Sequence, residues 1–542
     1  MKAWHVAGLA VLTTAFAGLA ASPSATLEIA DYATLPITGL LDGTGQTDGM
    51  LARVNSLREE PAGAPGGGSR LFLNDLNGPL YILDKTGKTF TTYLDFNGRD
   101  GHRGIFHKLA YEVGYAGGFV SFQFDPDYAR NGRFYTVHIE DPALAASDLP
   151  DNASVPGLNV TGYATTRPES TPGDITREGV LIEWTDTKPA NATFEGSARE
   201  LLRVALNTRI HPLGDLSFNP TARPGDADWR VLYIGSGDGG SGESRLSIRM
   251  NPQRLDTLVG KILRIVPDLN EHQATTRVSA NGRYRIPNDN PFVSTEGARP
   301  EVWALGLRNP HRLTWAIDAS NPRNNRLIVN SVGLRTWETV NIIHKGANYG
   351  YSLREGNEML QPDNKTTALP NPDTIPVRIS DTITKGTVVP TYPVIQYPHL
   401  AGGGDAVGSG FLYRGTRLPA LRGKYVFTDI STGHVWYADY NEMLAADDGD
   451  PKTLAALHEM KLLWKDPSGG STAARQIFDT MFPIASAAYH ARGGKAAILP
   501  GRATVSGEGR ADAHVAVDGA GELYVFSKTD GMLRVVVEAV VN

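Results

Sequence analysis

The sequence predicts an all-β fold, and a β-propeller in preference to a pair of β-sandwiches. Short apolar runs recur along the chain, each followed by a polar turn and a second apolar run, which is the pattern of a β-hairpin. Clear examples begin at Arg70, Lys424 and Glu522. Because these hairpins occur near both ends of the chain, the sheets can close into a ring, as a propeller requires.

Composition agrees with a large, turn-rich β architecture. The chain has 542 residues, too many for one simple two-layer core, so it forms two or more domains or one repeat-built ring. Its 59 glycines and 34 prolines exceed average usage, which many turns between short strands would explain. The net charge of −6 and the lack of a basic stripe argue against nucleic-acid binding. With no cysteine, disulfides, thiolate metal sites and cysteine nucleophiles are excluded.

The first residues have the pattern of a secretory signal. One lysine, Lys2, precedes an apolar run from about Val6 to Ala21, and small residues follow to Ala25. We predict a signal peptide at residues 1–25, with an uncleaved anchor as the alternative, because the run is short for a membrane span. The mature protein is then exported to the periplasm or secreted, and it has no stable membrane insertion.

The rest of the chain is predicted to be one propeller, residues 26–542. Two stretches differ from the hairpin pattern and are expected to be loop insertions on the faces of the ring. Residues 141–199 are rich in Pro, Thr, Asn and Ser. Residues 441–509 contain a segment with helix-forming composition and a glycine-rich end.

His211 and Asp238 are the first candidates for catalysis. His211 lies in a loop before a strand, and Asp238 lies about one hairpin later in the glycine-rich turn Gly235–Gly242. Loops at equivalent positions of a propeller converge on its axis, so the two could meet and support proton abstraction, with the carboxylate orienting the imidazole. The alternative is an ordinary turn aspartate and a surface histidine.

Several arginines are candidates for an anion site. Arg308 and Asn309 stand in the middle of an apolar β-type segment, Glu301–Asp318, where a buried guanidinium needs an anionic partner. Arg414 and Arg510 occupy similar strand-edge or turn positions in other hairpins. Converging guanidinium groups would suit a small ligand with several carboxylates. The alternatives are ordinary salt bridges and solvated arginines.

A series of segments resembles the glucose/sorbosone dehydrogenase family of soluble PQQ-dependent sugar dehydrogenases. The matching pieces stand in the family's order: FDPDYARNGRFYTVH, IHPLGDLSFNP, LYIGSGDGG, TLVGKILRI, VWALGLRNP, WETVNIIHKGANYGY, FLYRGTRLPALRGKYVFTD and ELYVFSKTDG. They cover roughly residues 70–536. Each piece is a weak signal, but the ordered set is specific. The resemblance implies a six-bladed β-propeller, a blade number that hairpin spacing does not fix.

The resemblance also implies a role for each candidate residue. His211 would be the general base, Asp238 its supporting carboxylate, and Arg308 with Asn309 the pair that contacts PQQ. Arg414 falls where the family has a positively charged residue that binds the quinone. Arg510 falls near the position of another arginine that contacts the cofactor in the family. The backbone carbonyls of two residues would hold Ca²⁺: Gly333 and Leu334.

The implied activity is oxidation of the anomeric carbon of an aldose to a lactone. Hydride would pass to PQQ and electrons to an external acceptor, such as a quinone, a cytochrome or a dye. The chain departs from the family pattern at Ala116, where Gln or Glu is usual, so retention of PQQ stays open. The alternatives are a non-enzymatic ligand-binding propeller of the same fold and a Ca²⁺-dependent lactonase.

Overall fold

The computed structural model describes residues 25–45, 47–66, 70–112, 116–400, 404–466, 474–501 and 509–541. Apart from Ala25, the predicted signal peptide lies outside these residues. The described chain is mostly β, as predicted, with short helices. Helical turns are the α-helices α1 (Tyr128–Asn131), α2 (Tyr440–Ala446) and α3 (Met481–Ala491), and the 3₁₀ turns Ser241–Glu243, Ser247–Gln253, Pro322–Asn324 and Pro419–Leu421.

The first strand, β1 (Ala25–Thr34), is part of the last sheet and is described with it. The first sheet is antiparallel, in the order β2-β3-β4-β5. Its strands are β2 (Val54–Glu59), β3 (Arg70–Asp75), β4 (Pro79–Asp84) and β5 (Phe90–Asp95). The second sheet has the order β6-β7-β9-β10-β8. Its strands are β6 (Phe119–Phe124), β7 (Arg133–Glu140), β8 (Leu158–Asn159), β9 (Arg177–Asp186) and β10 (Gly196–Leu206).

The third and fourth sheets each have four antiparallel strands and carry small hairpins in their connections. The third, in the order β11-β12-β13-β16, has the following strands, with β14 and β15 forming a side hairpin: β11 (Leu213–Phe218), β12 (Leu232–Ser236), β13 (Lys261–Ile265), β14 (Thr276–Val278), β15 (Arg285–Pro287) and β16 (Val302–Leu305). The fourth, in the order β17-β18-β19-β25, has strands and side hairpins as follows: β17 (Asn309–Ala316), β18 (Arg326–Val332), β19 (Trp337–Ile342), β20 (Arg354–Glu355), β21 (Glu358–Leu360), β22 (Thr366–Thr367), β23 (Ile375–Arg378), β24 (Thr384–Val388) and β25 (Ile395–Pro398).

The last sheet joins the two ends of the described chain. Its order is β26-β27-β28-β29-β1-β33-β32-β31, and β30 pairs with β29. β1 runs parallel to β29 and antiparallel to β33, so the first and last described strands are neighbours. The remaining strands are β26 (Val407–Leu412), β27 (Lys424–Asp429), β28 (Val435–Asp439), β29 (His458–Lys465), β30 (Arg475–Phe478), β31 (Ala513–Val517), β32 (Leu523–Ser527) and β33 (Met532–Val540).

One edge strand of each of the first four sheets, and both edge strands of the last sheet, face a common centre. These inner strands contact one another in a closed order: β2 with β6, β6 with β11, β11 with β17, β17 with β26, β26 with β31 and β31 with β2. Such a circle of sheets is a propeller and excludes the pair of sandwiches. Apolar residues on both faces of a strand suit this packing, and β11 and β12 are buried at every residue because other sheets cover them.

All inner strands begin at the same end of the ring. Hydrogen bonds between neighbouring inner strands join residues at matching positions: Asn55 Nδ2 to Val120 O at 2.6 Å, Ser121 Oγ to Gly214 O at 2.8 Å, His311 Nε2 with Val407 O at 2.8 Å and Ser409 Oγ to Val515 O at 2.6 Å. We call the end where these strands begin the leading end. Residues just before an inner strand therefore gather there.

The predicted hairpins are confirmed as β3–β4, β27–β28 and β32–β33, but both predicted insertions were drawn too long. Within residues 141–199, β9 pairs with β7 and β10 pairs with β9, so both are strands of the second sheet. Within residues 441–509, β29 pairs with β28 and β1. The polar composition of the flanking loops concealed these strands.

In the part of the chain described, no helix is long and apolar enough to cross a membrane.

Candidate active site

The leading end brings three of the sequence-predicted residues together. His211 comes two residues before β11, Arg308 directly precedes β17, and Asp238 lies in the turn that follows β12. The Asp238 backbone N–H donates to the carbonyl of Arg308 with 2.8 Å between nitrogen and oxygen. All three side chains are buried or nearly so. A candidate site therefore lies between the third and fourth sheets at this end.

His211 and Asp238 form a close pair. His211 Nδ1 lies 2.7 Å from Asp238 Oδ1. The Asp238 carboxylate also accepts backbone N–H groups, from Gly240 at 2.8 Å and from Gly242 at 2.9 Å. These contacts fix the carboxylate on the imidazole, which leaves His211 Nε2 as the nitrogen that can take a proton from a ligand.

The glycines of the Gly235–Gly242 turn allow this approach. A Cβ on Gly237 would lie 2.4 Å from the His211 carbonyl oxygen, and one on Gly242 would lie 2.6 Å from Asp238 Oδ2. Gly240 has a φ of 75°, which side-chain-bearing residues rarely adopt. Glycine at these positions therefore lets the backbone of the turn lie close to the His211–Asp238 pair.

The environment keeps Asp238 ionised. Its burial alone would raise the pKa of the carboxyl, but His211, Arg308 and the Gly240 N–H outweigh that effect and hold the pKa below its usual value. A carboxylate that stays charged can support an imidazolium next to it. The pair thus has the arrangement that a histidine general base needs.

Arg308 is a buried cation whose partners lie on either side of the site. Its guanidinium donates to the Glu243 carboxylate and to the Gly333 carbonyl, and more weakly to the Val332 carbonyl at 3.3 Å. Burial alone would lower the pKa of Arg308, yet the nearby Tyr351, Glu243 and Asp238 raise it above its ordinary value. The guanidinium is therefore charged, and Glu243 is its nearest counterion.

The Gly333–Leu334 turn is held by two buried glutamates. Glu355 Oε1 accepts the backbone N–H groups of four consecutive residues, at 2.7 to 3.2 Å: Leu334, Arg335, Thr336 and Trp337. Glu338 accepts the Gly333 N–H at 3.0 Å. The two glutamates hold this turn through its N–H groups.

Glu338 links this turn to the next inner strand. Its second carboxylate oxygen accepts the Val407 N–H at 2.8 Å, and its first lies 2.6 Å from His399 Nε2. Burial raises the pKa of Glu338 to about 7, although His399 and the Val407 N–H act against it. Burial would lower the pKa of His399, but Glu338 raises it.

Arg414 is not part of this site. It follows β26, at the end of that strand opposite to Val407, and it is solvent-exposed beside Gly521 in the turn between β31 and β32. The prediction that Arg308, Asn309 and Arg414 converge on one pocket is therefore wrong for Arg414. Arg308 precedes its strand and Arg414 follows its strand, so the two arginines lie at opposite ends of the ring. Asn309 is buried as the first residue of β17, paired with Val332.

Other cations do lie at the leading end. Arg510 lies three residues before β31 and is buried there, with its Nε 3.4 Å from Asp512 Oδ2. Lys528 lies beside it, with Nζ 3.3 Å from Asp512 Oδ1. Burial lowers the pKa of Lys528 to about 8, opposed by Asp512 and aided by Arg312 and Arg53. Sequence reasoning missed Lys528, although its place in a hairpin turn that returns to the leading end was a usable signal.

Ala116 and the metal ligands complete the predicted set. Ala116 directly precedes Gly117, whose carbonyl accepts from Arg53, so it lies at the leading end of β6. Gly333 and Leu334 lie at the leading end beside Arg308. Within the described ranges, no group of three or more His, Cys, Asp or Glu side chains is placed to hold a metal ion.

Comparison with known proteins supports the family resemblance. Residues 225–449 match the family model described as Glucose / Sorbosone dehydrogenase, a range that includes Asp238, Arg308 and Gly333. A crystal structure of the soluble aldose sugar dehydrogenase of Escherichia coli, in its apo-form, has a TM-score of 0.53 and 17% identity. The aligned region covers 95% of this chain and 100% of the chain in that crystal structure. That likeness supports the propeller fold.

Some similar proteins are named as HIPL or Hedgehog-interacting proteins, and one is named as a sugar dehydrogenase. The HIPL1 protein of Arabidopsis thaliana is 26% identical over 69% of this chain, and the human Hedgehog-interacting protein is 27% identical over 69%. The matches span 51% and 42% of those proteins, so this chain corresponds to about half of their length or less. Aldose sugar dehydrogenase YliI of Escherichia coli is 39% identical, over 19% of this chain and 23% of its own.

Proposed function

We propose that this chain is a member of the glucose/sorbosone dehydrogenase family and that it oxidises the anomeric carbon of aldose sugars to lactones with PQQ as hydride acceptor. The observation that carries the proposal is the His211–Asp238 pair, at 2.7 Å, joined through the backbone of Asp238 to the cationic Arg308. A base and a fixed positive charge side by side are what hydride abstraction from an alcohol requires.

The leading end offers a suitable charge for a quinone with three carboxylates. Arg308, Arg510 and Lys528 all lie there, and the Nε of Arg308 is buried without a hydrogen-bond partner in the described part of the chain. Lys528, rather than the exposed Arg414, would supply the third positive charge. These residues fit an anionic cofactor, whose carboxylates would offset the cost of burying them.

The residues of this chain would then perform the proton chemistry. His211 Nε2 accepts the proton of the anomeric hydroxyl, while Asp238 holds Nδ1 and stabilises the imidazolium that forms. Arg308 would hold its positive charge beside the bound acceptor. PQQ, when bound, supplies the hydride acceptor, and its electrons leave for an external carrier.

Ca²⁺ fits the described geometry less well. The Gly333 carbonyl, one of its two predicted ligands, accepts a hydrogen bond from Arg308 and so faces a guanidinium. A divalent cation on this oxygen would stand next to a like charge. Gly333 and Leu334 are the Ca²⁺ ligands that the family resemblance implies, but the contact with Arg308 does not suit a cation, and we derive no catalytic step through the metal.

We also propose six blades and an exported protein. The closed order of inner strands β2, β6, β11, β17, β26 and β31 supports one blade per strand, with the last sheet holding two blades. The apolar run that follows Lys2 supports export. The expected partners are a small sugar and an external electron acceptor.

A ligand-binding propeller without catalysis is the second candidate. The Hedgehog-interacting protein among the relatives is named for a binding function. The Arg308 guanidinium also already donates a hydrogen bond to the Glu243 carboxylate, so it has an anionic partner without a cofactor. The His211–Asp238 pair, which leaves His211 Nε2 to take a proton, supports the enzyme over the binding module. A Ca²⁺-dependent lactonase would need a cluster of metal-binding side chains.

Reconstitution distinguishes these candidates. Purified protein is titrated with PQQ, with and without Ca²⁺, while quinone absorbance and sugar-dependent dye reduction are recorded. We expect a saturable absorbance change and turnover with an aldose. In His211→Ala, the absorbance change should persist while turnover falls roughly 10²–10⁴-fold. PQQ binding without turnover in the unaltered protein would favour the binding module, and absence of both would refute the proposed cofactor.

A further inference from the structure

A second cleft lies away from the candidate active site. It has a volume of about 300 Å³ and lies between the third and fourth sheets. Its wall includes Tyr233, which pairs with Ser217 near the end of β11, and Trp315, near the end of β17. Because inner strands begin at the leading end, this cleft lies toward the opposite end of the ring. It does not overlap the site of His211.

The back of the cleft is aromatic. Trp303 and Trp315 are both half-buried, and each packs edge-on against Tyr233, with ring centroids 5.9 and 5.4 Å away. The indole Nε1 of Trp315 is buried and has no hydrogen-bond partner among the residues that the structure describes. Buried indole N–H groups normally have one. The two indole rings and Tyr233 give the cleft an aromatic wall on which an apolar ring face can lie.

The rim of the cleft is polar and carries excess positive charge. Asp447 is its carboxylate, and both its oxygens lie within 2.9 Å of His344 Nε2. Lys345 stands 5.9 Å from the Trp303 ring centroid and has no carboxylate within ion-pair distance in the described ranges. The Arg326 guanidinium donates to the backbone carbonyls of Arg323 and Asn325, not to a carboxylate.

We propose that this cleft binds a saccharide unit that carries a carboxylate, such as a uronic acid. Aromatic rings suit the apolar C–H face of a sugar ring, and a few polar groups at the rim suit its hydroxyls. Lys345 and Arg326 would pair with the carboxylate. A quaternary cation, which aromatic walls also attract, would be repelled by both. The volume is at the lower bound of small-ligand pockets and suits one sugar unit.

The test uses methyl glucuronide, whose anomeric carbon is blocked and which the proposed dehydrogenase cannot oxidise. Saturation-transfer NMR and calorimetry measure its binding to the full chain, with methyl glucoside as the uncharged comparison. We expect saturable binding of the glucuronide and at least fivefold weaker binding of the glucoside. Equal affinities would overturn the assignment of carboxylate recognition, and no saturable binding would overturn the site.

Four variants locate the binding. Lys345→Gln should weaken glucuronide binding three- to tenfold, whereas Lys365→Gln, a distant exposed lysine, should leave it unchanged. Trp303→Ala should abolish it, and Lys345→Gln keeps the test valid if Trp303→Ala does not fold. His211→Ala should bind the glucuronide like the unaltered protein, so a failure of the proposed dehydrogenase activity leaves this inference standing. An equal loss in Lys345→Gln and Lys365→Gln would contradict the site.

Discussion

The backbone N–H of Asp238 donates to the backbone carbonyl of Arg308, with 2.8 Å between the two atoms. This bond ties the turn after β12 to the residue that precedes β17, so two neighbouring sheets share one anchored junction. The carboxylate that holds His211 and the guanidinium that would meet an anionic acceptor are thereby positioned before any ligand binds. Preorganisation of this kind reduces the entropy lost when the reactants are aligned.

Asp238→Asn should impair catalysis more than folding. An amide can keep the hydrogen bond to His211 Nδ1, but it cannot stabilise the imidazolium and can favour the wrong tautomer. We expect kcat to fall roughly 10²–10⁴-fold with little change in PQQ affinity. Steady-state kinetics and a quinone absorbance titration measure the two effects. Asp381→Asn, at an exposed carboxylate, serves as the control, and a kcat within twofold of normal for Asp238→Asn would refute the assigned role.

Arg308→Ala and Arg414→Ala should separate the two ends of the ring. Loss of Arg308 removes the buried cation at the leading end, so we expect PQQ to bind at least tenfold more weakly. Arg414 is exposed at the other end, so its loss should leave PQQ binding unchanged. Equilibrium titration with PQQ measures both. A comparable loss in Arg414→Ala would mean that the cofactor does not bind at the leading end.

The sequence predicted the fold well because hairpins are local. The β3–β4, β27–β28 and β32–β33 hairpins each depend on alternation and turn residues within about fifteen positions, which a sequence displays directly. Pairing of β1 with β29 and β33 joins residues more than four hundred positions apart, and no local pattern shows it.

The site was only partly predictable for the same reason. His211, Asp238 and Arg308 lie close to inner strands whose beginnings were recognisable, so their convergence could be expected. The predicted position of Arg414 was wrong because the sequence shows that it lies at a strand end but not which end of the strand faces the site. Glu243 lies five residues after Asp238 in the same glycine-rich segment, but its contact with Arg308 depends on how that segment folds back.

Glu338 should make stability depend on pH. Its pKa is about 7 in the folded protein against 4.5 as the ordinary value, so between these values the folded state holds more protons than the unfolded state. The free energy of unfolding therefore falls as the pH rises through this window. His399 acts in the same direction at higher pH because its pKa is also raised. We expect this pair to contribute a loss of roughly 1–3 kcal/mol between pH 5 and pH 8.

The measurement is urea unfolding of the unaltered protein, Glu338→Gln and Glu296→Gln at both pH values. Glu338→Gln removes the titrating group, so its stability relative to the unaltered protein should improve as the pH rises. Glu296 is exposed, and its variant should follow the unaltered protein. A pH-independent difference between Glu338→Gln and the unaltered protein would show that Glu338 does not titrate in this range.

Glu243→Gln should strengthen PQQ binding. The Glu243 carboxylate is the nearest counterion of Arg308, and its side chain is 39% exposed, so it can leave the guanidinium at modest cost. An incoming quinone carboxylate must compete with it for the same donor. A neutral amide competes less and removes a repulsive charge, so we expect a roughly three- to tenfold lower Kd for PQQ, lessened by added salt. Glu538→Gln, at an exposed position far along the chain, should show no change. If Glu243→Gln instead weakens binding, Glu243 supports the cofactor site rather than competing for it, and the pairing with Arg308 is a positioning contact.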